Sequence, residues 1–298
     1  VQENDFAGYG YPSLSYANRV LSSHEFFHAV QAAYDSEQGS ILAEGTAVWA
    51  TEQFDATLHD FEDFLPGFFK HPDRSLDKPI AGPVDEFSYG MGIWFRYLSE
   101  RFGADIVRKL WFDCQNGQHG VANPQWFSAL AKLLGRDYGT TFAAELQTFA
   151  AWNLRTGKYA APGGYQQAKQ YPQVASVKGE LPYVDPDFRL FYASTQYVRV
   201  VPDGRPQLTA AVLPGKASAD LHLWAATRTG NLLSTAVPLP ADPTAPLQML
   251  DTTDADELIV WAVHGGQSGD SIKGTLCIGD ADEVADCRPA QASSAGPD

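Results

Sequence analysis

Cysteine is scarce in this chain, and positive charge is outnumbered. Only Cys114, Cys277 and Cys287 occur among 298 residues, too few for a disulfide-dense miniature scaffold. Against 36 acidic side chains stand 21 basic ones, a net charge of -15. Such a surface repels phosphate backbones and anionic lipid headgroups, so nucleic-acid binding is not expected. No run of about 18 apolar residues is present, which excludes a membrane-inserted helix as the expectation. Initiator methionine and signal peptide are both missing from the start, so the chain reads as a mature or excised product. Oligomeric state leaves no mark in the sequence.

What is present is a large apolar fraction, 44%, enough to bury a core in one large domain or two medium ones. The first half carries helical spacing. Val20, Phe27, Val30 and Ala33 fall on one side of a helix from about Leu14 to Tyr34, with Asp35 and Gly39 as stop signals. A second helix is expected over Ile41–Phe54, then a proline-rich irregular loop over Asp60–Pro83, anchored by Phe64, Phe68 and Phe69. Further helices are expected over Tyr89–Arg101, Ala104–Phe112, Pro124–Leu134 and Tyr138–Leu154, with Pro124 in a first turn and Gly103 and Gly135 at helix ends.

Around Gly157–Tyr171 the composition turns to Gly, Pro, Gln and Ala, and beyond it the period changes from 3.6 to 2. Short β-rich runs at Gln196–Val201, Gln207–Leu213, Leu221–Ala225, Glu257–Val263 and Ile272–Ile278 predict an antiparallel β-sandwich. The expected class is therefore multidomain α plus β: a mainly helical domain over 1–160, a linker over 161–174, a β-sandwich over 175–288 and a flexible tail over 289–298. A disulfide between Cys277 and Cys287 would close a short loop, as secreted proteins often do, which places the chain outside the cytoplasm. Cys114 reads as a buried thiol, or as one whose partner lies in sequence not present here. The acidic run Asp280–Asp286 lacks the glycine and glutamate spacing of an EF-hand and reads as a solvated turn.

Chemistry concentrates in Ser23-His24-Glu25-Phe26-Phe27-His28-Ala29-Val30-Gln31. Two histidines four residues apart on a helix share a face, so their imidazoles can converge on one ion, while Glu25 reaches a water held there. Fifteen residues separate His28 from Glu44, which opens the second helix. If that helix runs antiparallel to the first, Glu44 returns beside the histidines and completes a His₂Glu zinc site. Phe26 and Phe27 read as core residues flanking the motif, and His59, His71, His119, His222 and His264 as isolated structural or surface histidines.

The pair His24–Gln31 and Glu44–Trp49 resembles the gluzincin group of zinc peptidases, which includes thermolysin, over roughly residues 1 to 156. It is more similar still to secreted bacterial metallopeptidases carrying His-Glu-Phe-Phe-His-Ala-Val-Gln followed by Glu-Gly-x-Ala-x-Trp. The resemblance implies Zn²⁺ on His24, His28 and Glu44, Glu25 as general base, and hydrolysis of peptide bonds in extracellular proteins or peptides. It also implies an oxyanion-stabilising role for Tyr89, in Phe87-Ser88-Tyr89-Gly90-Met91-Gly92. Two departures stand out. Thermolysin-like enzymes carry an acid four positions after the glutamate ligand, where this chain has Val48; Glu52 or Asp35 is the expected substitute that orients a histidine. Gluzincins also place several strands before the motif helix, and residues 1–12 have room for one edge strand. Two other function classes fit the same sequence: a non-catalytic extracellular binding or adhesion protein on a vestigial peptidase scaffold, and a zinc hydrolase of a non-peptide bond.

Overall fold

Ser13 starts the first helix of the computed structural model by accepting the Tyr16 N–H at its N-cap. The structure describes residues 10–81, 85–115, 121–214, 218–242 and 245–287. Residues 1–9 of the expected edge strand, Pro83, His119 and the tail Pro289–Asp298 lie outside the described residues. The chain divides into two units, Val1–Ala175 and Ser176–Asp298.

In the first unit, α1 (Leu14–Tyr34) and α2 (Ser40–Phe54) form a hairpin. The Asp35 carboxylate holds its turn by accepting from the Glu37 N–H and the Gln38 amide. The stretch expected as an irregular loop is partly helical, with α3 (Phe61–Phe64) and α4 (Pro66–Phe69). Pro66 occupies the first turn of α4, where its missing N–H costs nothing, and burial of Phe61, Phe68 and Phe69 fixes both turns against the core. Next come α5 (Glu86–Gly90), α6 (Gly92–Phe102), α7 (Asp105–Asp113), α8 (Trp126–Tyr138) and α9 (Phe142–Asn153).

Gly103 ends α6 with φ 88°, but Gly135 lies inside α8, which runs on to Gly139 at φ 64°. Pro124 precedes that helix instead of starting it, and its carbonyl accepts from Gln38. The core between α6 and α9 is aromatic: the Trp94 and Phe149 rings meet at 4.9 Å and those of Tyr97 and Phe149 at 5.4 Å. The Gly/Pro/Gln-rich stretch packs into this unit through the buried Tyr165 and Tyr171, with Tyr171 5.8 Å from Phe61. Cys114 is a buried free thiol that burial pushes up to about 12.

The second unit holds β1 (Val177–Gly179), β2 (Tyr183–Leu190), β3 (Ser194–Val200), β4 (Gln207–Pro214), β5 (Leu221–Thr229), β6 (Leu232–Leu233), β7 (Val237–Leu239), β8 (Leu250–Asp251), β9 (Glu257–His264) and β10 (Ile272–Gly279), then α10 (Ala281–Asp286). One sheet has the order β1-β3-β9-β5-β6 with β7 also on β5, and the other is β2-β10-β4-β8. Val198 and Val200 from β3, Leu223 from β5 and Val260 from β9 share a core with Phe188 and Leu190 from β2 and Ile278 from β10. The Asp280–Asp286 run forms α10, closed by a capping box between Asp280 and Glu283, and Glu283 also pairs with Arg205. Cys277 is bonded to Cys287 and ties the end of this helix to β10.

The expected class is thereby corrected. The chain is α/β, with 40% of its residues in helix, 22% in strand, and two sheets, not a mainly helical domain followed by an antiparallel sandwich. Alternating periodicity marks strands but not their partners. Val177–Gly179, at the edge of the linker-like stretch, runs parallel to β3 in the register Val177↔Val198, so the larger sheet is mixed.

Candidate metal centre

The α1–α2 hairpin brings three donor atoms together. Successive turns of α1 present His24 and His28, and the first turns of α2 return Glu44 to them. His24 Nε2 lies 3.1 Å from Glu44 Oε2 and 3.1 Å from His28 Nε2, and His28 Nε2 lies 3.5 Å from Glu44 Oε2. Among the described residues this is the one group of three or more His, Cys, Asp and Glu side chains close enough to hold a metal ion. Zinc with tetrahedral nitrogen and oxygen ligands at about 2.0–2.2 Å spaces its donors about 3.3–3.6 Å apart. One side of the triangle lies within that spacing and the other two fall about 0.2 Å short of it, and one carboxylate with two imidazoles is ligand chemistry that suits the ion.

The electrostatics fit as well. Burial raises the Glu44 carboxyl, but hydrogen bonds from His24 and His28 outweigh it and hold the group at about 2. The Glu44 hydrogen bond raises the His28 imidazole, working against its burial.

His28 is oriented from behind by a residue that was not foreseen in this role. Its Nδ1 lies 2.7 Å from Gln31 Oε1, one turn further along α1. The candidates Glu52 and Asp35 touch neither histidine: Glu52 pairs with Arg96 at 2.8 Å, and Asp35 serves the turn. Val48, at the position of the missing acid, points into the core. The signal for Gln31 was its i,i+3 spacing from His28, which puts both on one helix face.

Tyr89 reaches the site on α5. Its ring stacks on His24, centroids 5.9 Å apart, and on Phe64 at 5.2 Å. Burial first, then the charge and hydrogen bond of Glu44, push its hydroxyl up to about 12. Two glycines set this position. A Cβ on Gly67 of α4 would run into the Glu86 carbonyl of α5, and one on Gly90 would run into the Phe68 nitrogen and lie 2.9 Å from the Gly67 carbonyl carbon. Asp85 caps α5 through the Ser88 N–H at 3.2 Å, and Ser40 at the start of α2 donates to the same carboxylate at 3.2 Å.

Glu25 lies on the exposed side of α1 and lines a cleft of about 760 Å³ together with His24, Tyr89, Tyr11, Asp60 and Lys70. Tyr11 and Asp60 escaped the sequence reading. They are hydrogen-bonded to each other, and burial, followed by the charge of Asp63, raises the Asp60 carboxyl to about 6. The flanking aromatics separate: Phe27 packs 6.3 Å from Trp49, whereas Phe26 is 70% exposed, contrary to its expected place in the core. It faces outward because it sits about 100° of helix rotation from Phe27.

Compared with models of protein families and with curated proteins, the chain matches none.

Proposed function

We propose that this chain is a zinc-dependent hydrolase of peptide bonds that works outside the cytoplasm. The observation that carries the reading is the triangle of His24, His28 and Glu44 donors, with sides of 3.1, 3.1 and 3.5 Å. The likeness to gluzincins in these residues supports the choice of a peptide substrate, and the Cys277–Cys287 bond supports an oxidising compartment.

His24, His28 and Glu44 would hold the ion, which when bound polarises a carbonyl and brings the pKa of water towards neutrality. Glu25 takes a proton from the attacking water and delivers it to the leaving amine as the C–N bond breaks. Tyr89 donates its hydroxyl hydrogen in a hydrogen bond to the oxyanion, stabilising the charge that develops there.

The test combines elemental analysis with a quenched-fluorescence peptide panel, applied to the wild type and Glu25→Gln. About one zinc per chain in both, with cleavage by the wild type alone, is the expected outcome. Wild-type protein that takes up no zinc at neutral pH, or a Glu25→Gln variant that cleaves at the wild-type rate, would sink the reading.

A further inference from the structure

We infer that Gln31 is a positioning residue that fixes the tautomer of His28, keeping the hydrogen on Nδ1 and the Nε2 lone pair turned towards Glu44 and His24. The inference rests on the proposed metal centre and deepens it.

Gln31 is 4% exposed, and its side-chain amide has three polar neighbours with little freedom. Its Nε2 lies 2.8 Å from the Ala43 carbonyl oxygen, which can only accept, so the atom facing Ala43 must be the NH₂ group. The second neighbour of that group, Thr46 Oγ1 at 2.9 Å, is fully buried and spends its own hydrogen on the Leu42 carbonyl at 2.7 Å. Thr46 therefore accepts from Gln31, and its other lone pair takes the Trp111 indole N–H at 3.1 Å. With both amide hydrogens assigned to α2, Gln31 turns its carbonyl oxygen to His28 Nδ1. A carbonyl cannot donate, so the imidazole must.

This matters because Glu44 pulls the other way. Its carboxylate is 3.5 Å from His28 Nε2 and would draw the ring hydrogen there, blocking the nitrogen that faces the other two donors. Gln31 opposes that shift from the far side of the ring. Because its amide is held by Ala43 and Thr46, on either side of Glu44 in α2, the same contacts that set the tautomer also set the register between the two ligand-bearing helices.

The experiment is long-range ¹H–¹⁵N NMR of the histidine rings in metal-free full chain, recorded above the pH at which His28 titrates, with zinc affinity measured by chelator competition. Wild-type His28 is expected as the Nδ1–H form. In Gln31→Met the hydrogen moves to Nε2, and zinc binds roughly 10–100-fold more weakly. Gln31→Glu keeps an acceptor against Nδ1, so it retains the wild-type tautomer and binds zinc more tightly than Gln31→Met. Wild-type His28 in the Nε2–H form overturns the inference. So does a folded Gln31→Met with an unmoved tautomer, whatever its zinc affinity, because the residue would then be structural only. A wild type that shows Nδ1–H and responds to Gln31→Met but binds no zinc removes the peptidase reading and leaves the tautomer assignment standing.

Discussion

The Tyr89 ring lies nearly flat on the His24 imidazole, centroids 5.9 Å apart and planes 15° from parallel. The contact uses the face of the tyrosine and leaves its hydroxyl to the site. Stacking and hydrogen bonding are therefore separable by one substitution. Tyr89→Phe keeps the stack on His24 and Phe64 and removes the donor. Zinc content is expected to stay at the wild-type level while kcat falls by about 10²–10³. Steady-state kinetics beside elemental analysis checks this; an unchanged kcat would remove Tyr89 from the chemistry.

Gly90 gives a test of how that tyrosine is placed. A methyl group there meets the backbone of α4, which cannot swing aside as a flexible side chain would. Gly90→Ala is expected to destabilise the protein by about 1–3 kcal/mol through overpacking. Thermal unfolding reads the cost, and quenching of activity at unchanged zinc content reads the displacement of Tyr89.

Acid and base act on the metal-free site in opposite directions. Glu44 is held at about 2, below its usual 4.5, so its contribution to stability is present above pH 4.5 and disappears as pH falls towards 2. His28 is raised above its usual 6.5, so its contribution is complete below pH 6.5 and is lost as pH climbs through the raised value. Metal-stripped protein should therefore gain most from this pair between those limits, and Glu44→Gln should flatten that part of the profile. With zinc the trend on the alkaline side reverses, because the ion requires neutral imidazoles. Unfolding temperatures measured across pH with and without zinc check both curves.

The Cys277–Cys287 bond closes a loop with a sequence separation of 10. On chain-entropy grounds, replacing both cysteines by serine costs about 3 kcal/mol in the second unit. Denaturant unfolding with and without reductant measures it, and a reduced form as stable as the oxidised one would contradict the estimate.

The local part of this protein was the legible part. Leu14–Tyr34 shows in its apolar spacing and in the signals after it, and His24, His28 and Glu44 come together because helix periodicity and a short turn leave them little choice. Partner choice was not legible. Gln31 stood inside the quoted motif, yet its role appears only when Ala43 and Thr46 arrive from α2. Phe26 and Phe27 look alike as neighbours in sequence, but rotation about the helix puts one outside and one in contact with Trp49. Gly135 and Gly139 are both plausible helix ends, and only the left-handed backbone at Gly139 decides between them. For the strands, alternation located β3, β4, β5, β9 and β10, while the parallel entry of Val177–Gly179 depends on backbone pairing that side-chain type does not encode.

The three donors have a consequence for the order of assembly. His24 and Glu44 are 20 residues apart in sequence, and His28 lies between them. Bringing them together closes one short loop, and the entropy of closure grows only as the logarithm of loop length. All three donors of this centre of low contact order come from α1 and α2. An ion captured by the α1–α2 hairpin during synthesis would meet its full set of protein ligands before α5 has brought Tyr89 to the ribosome exit.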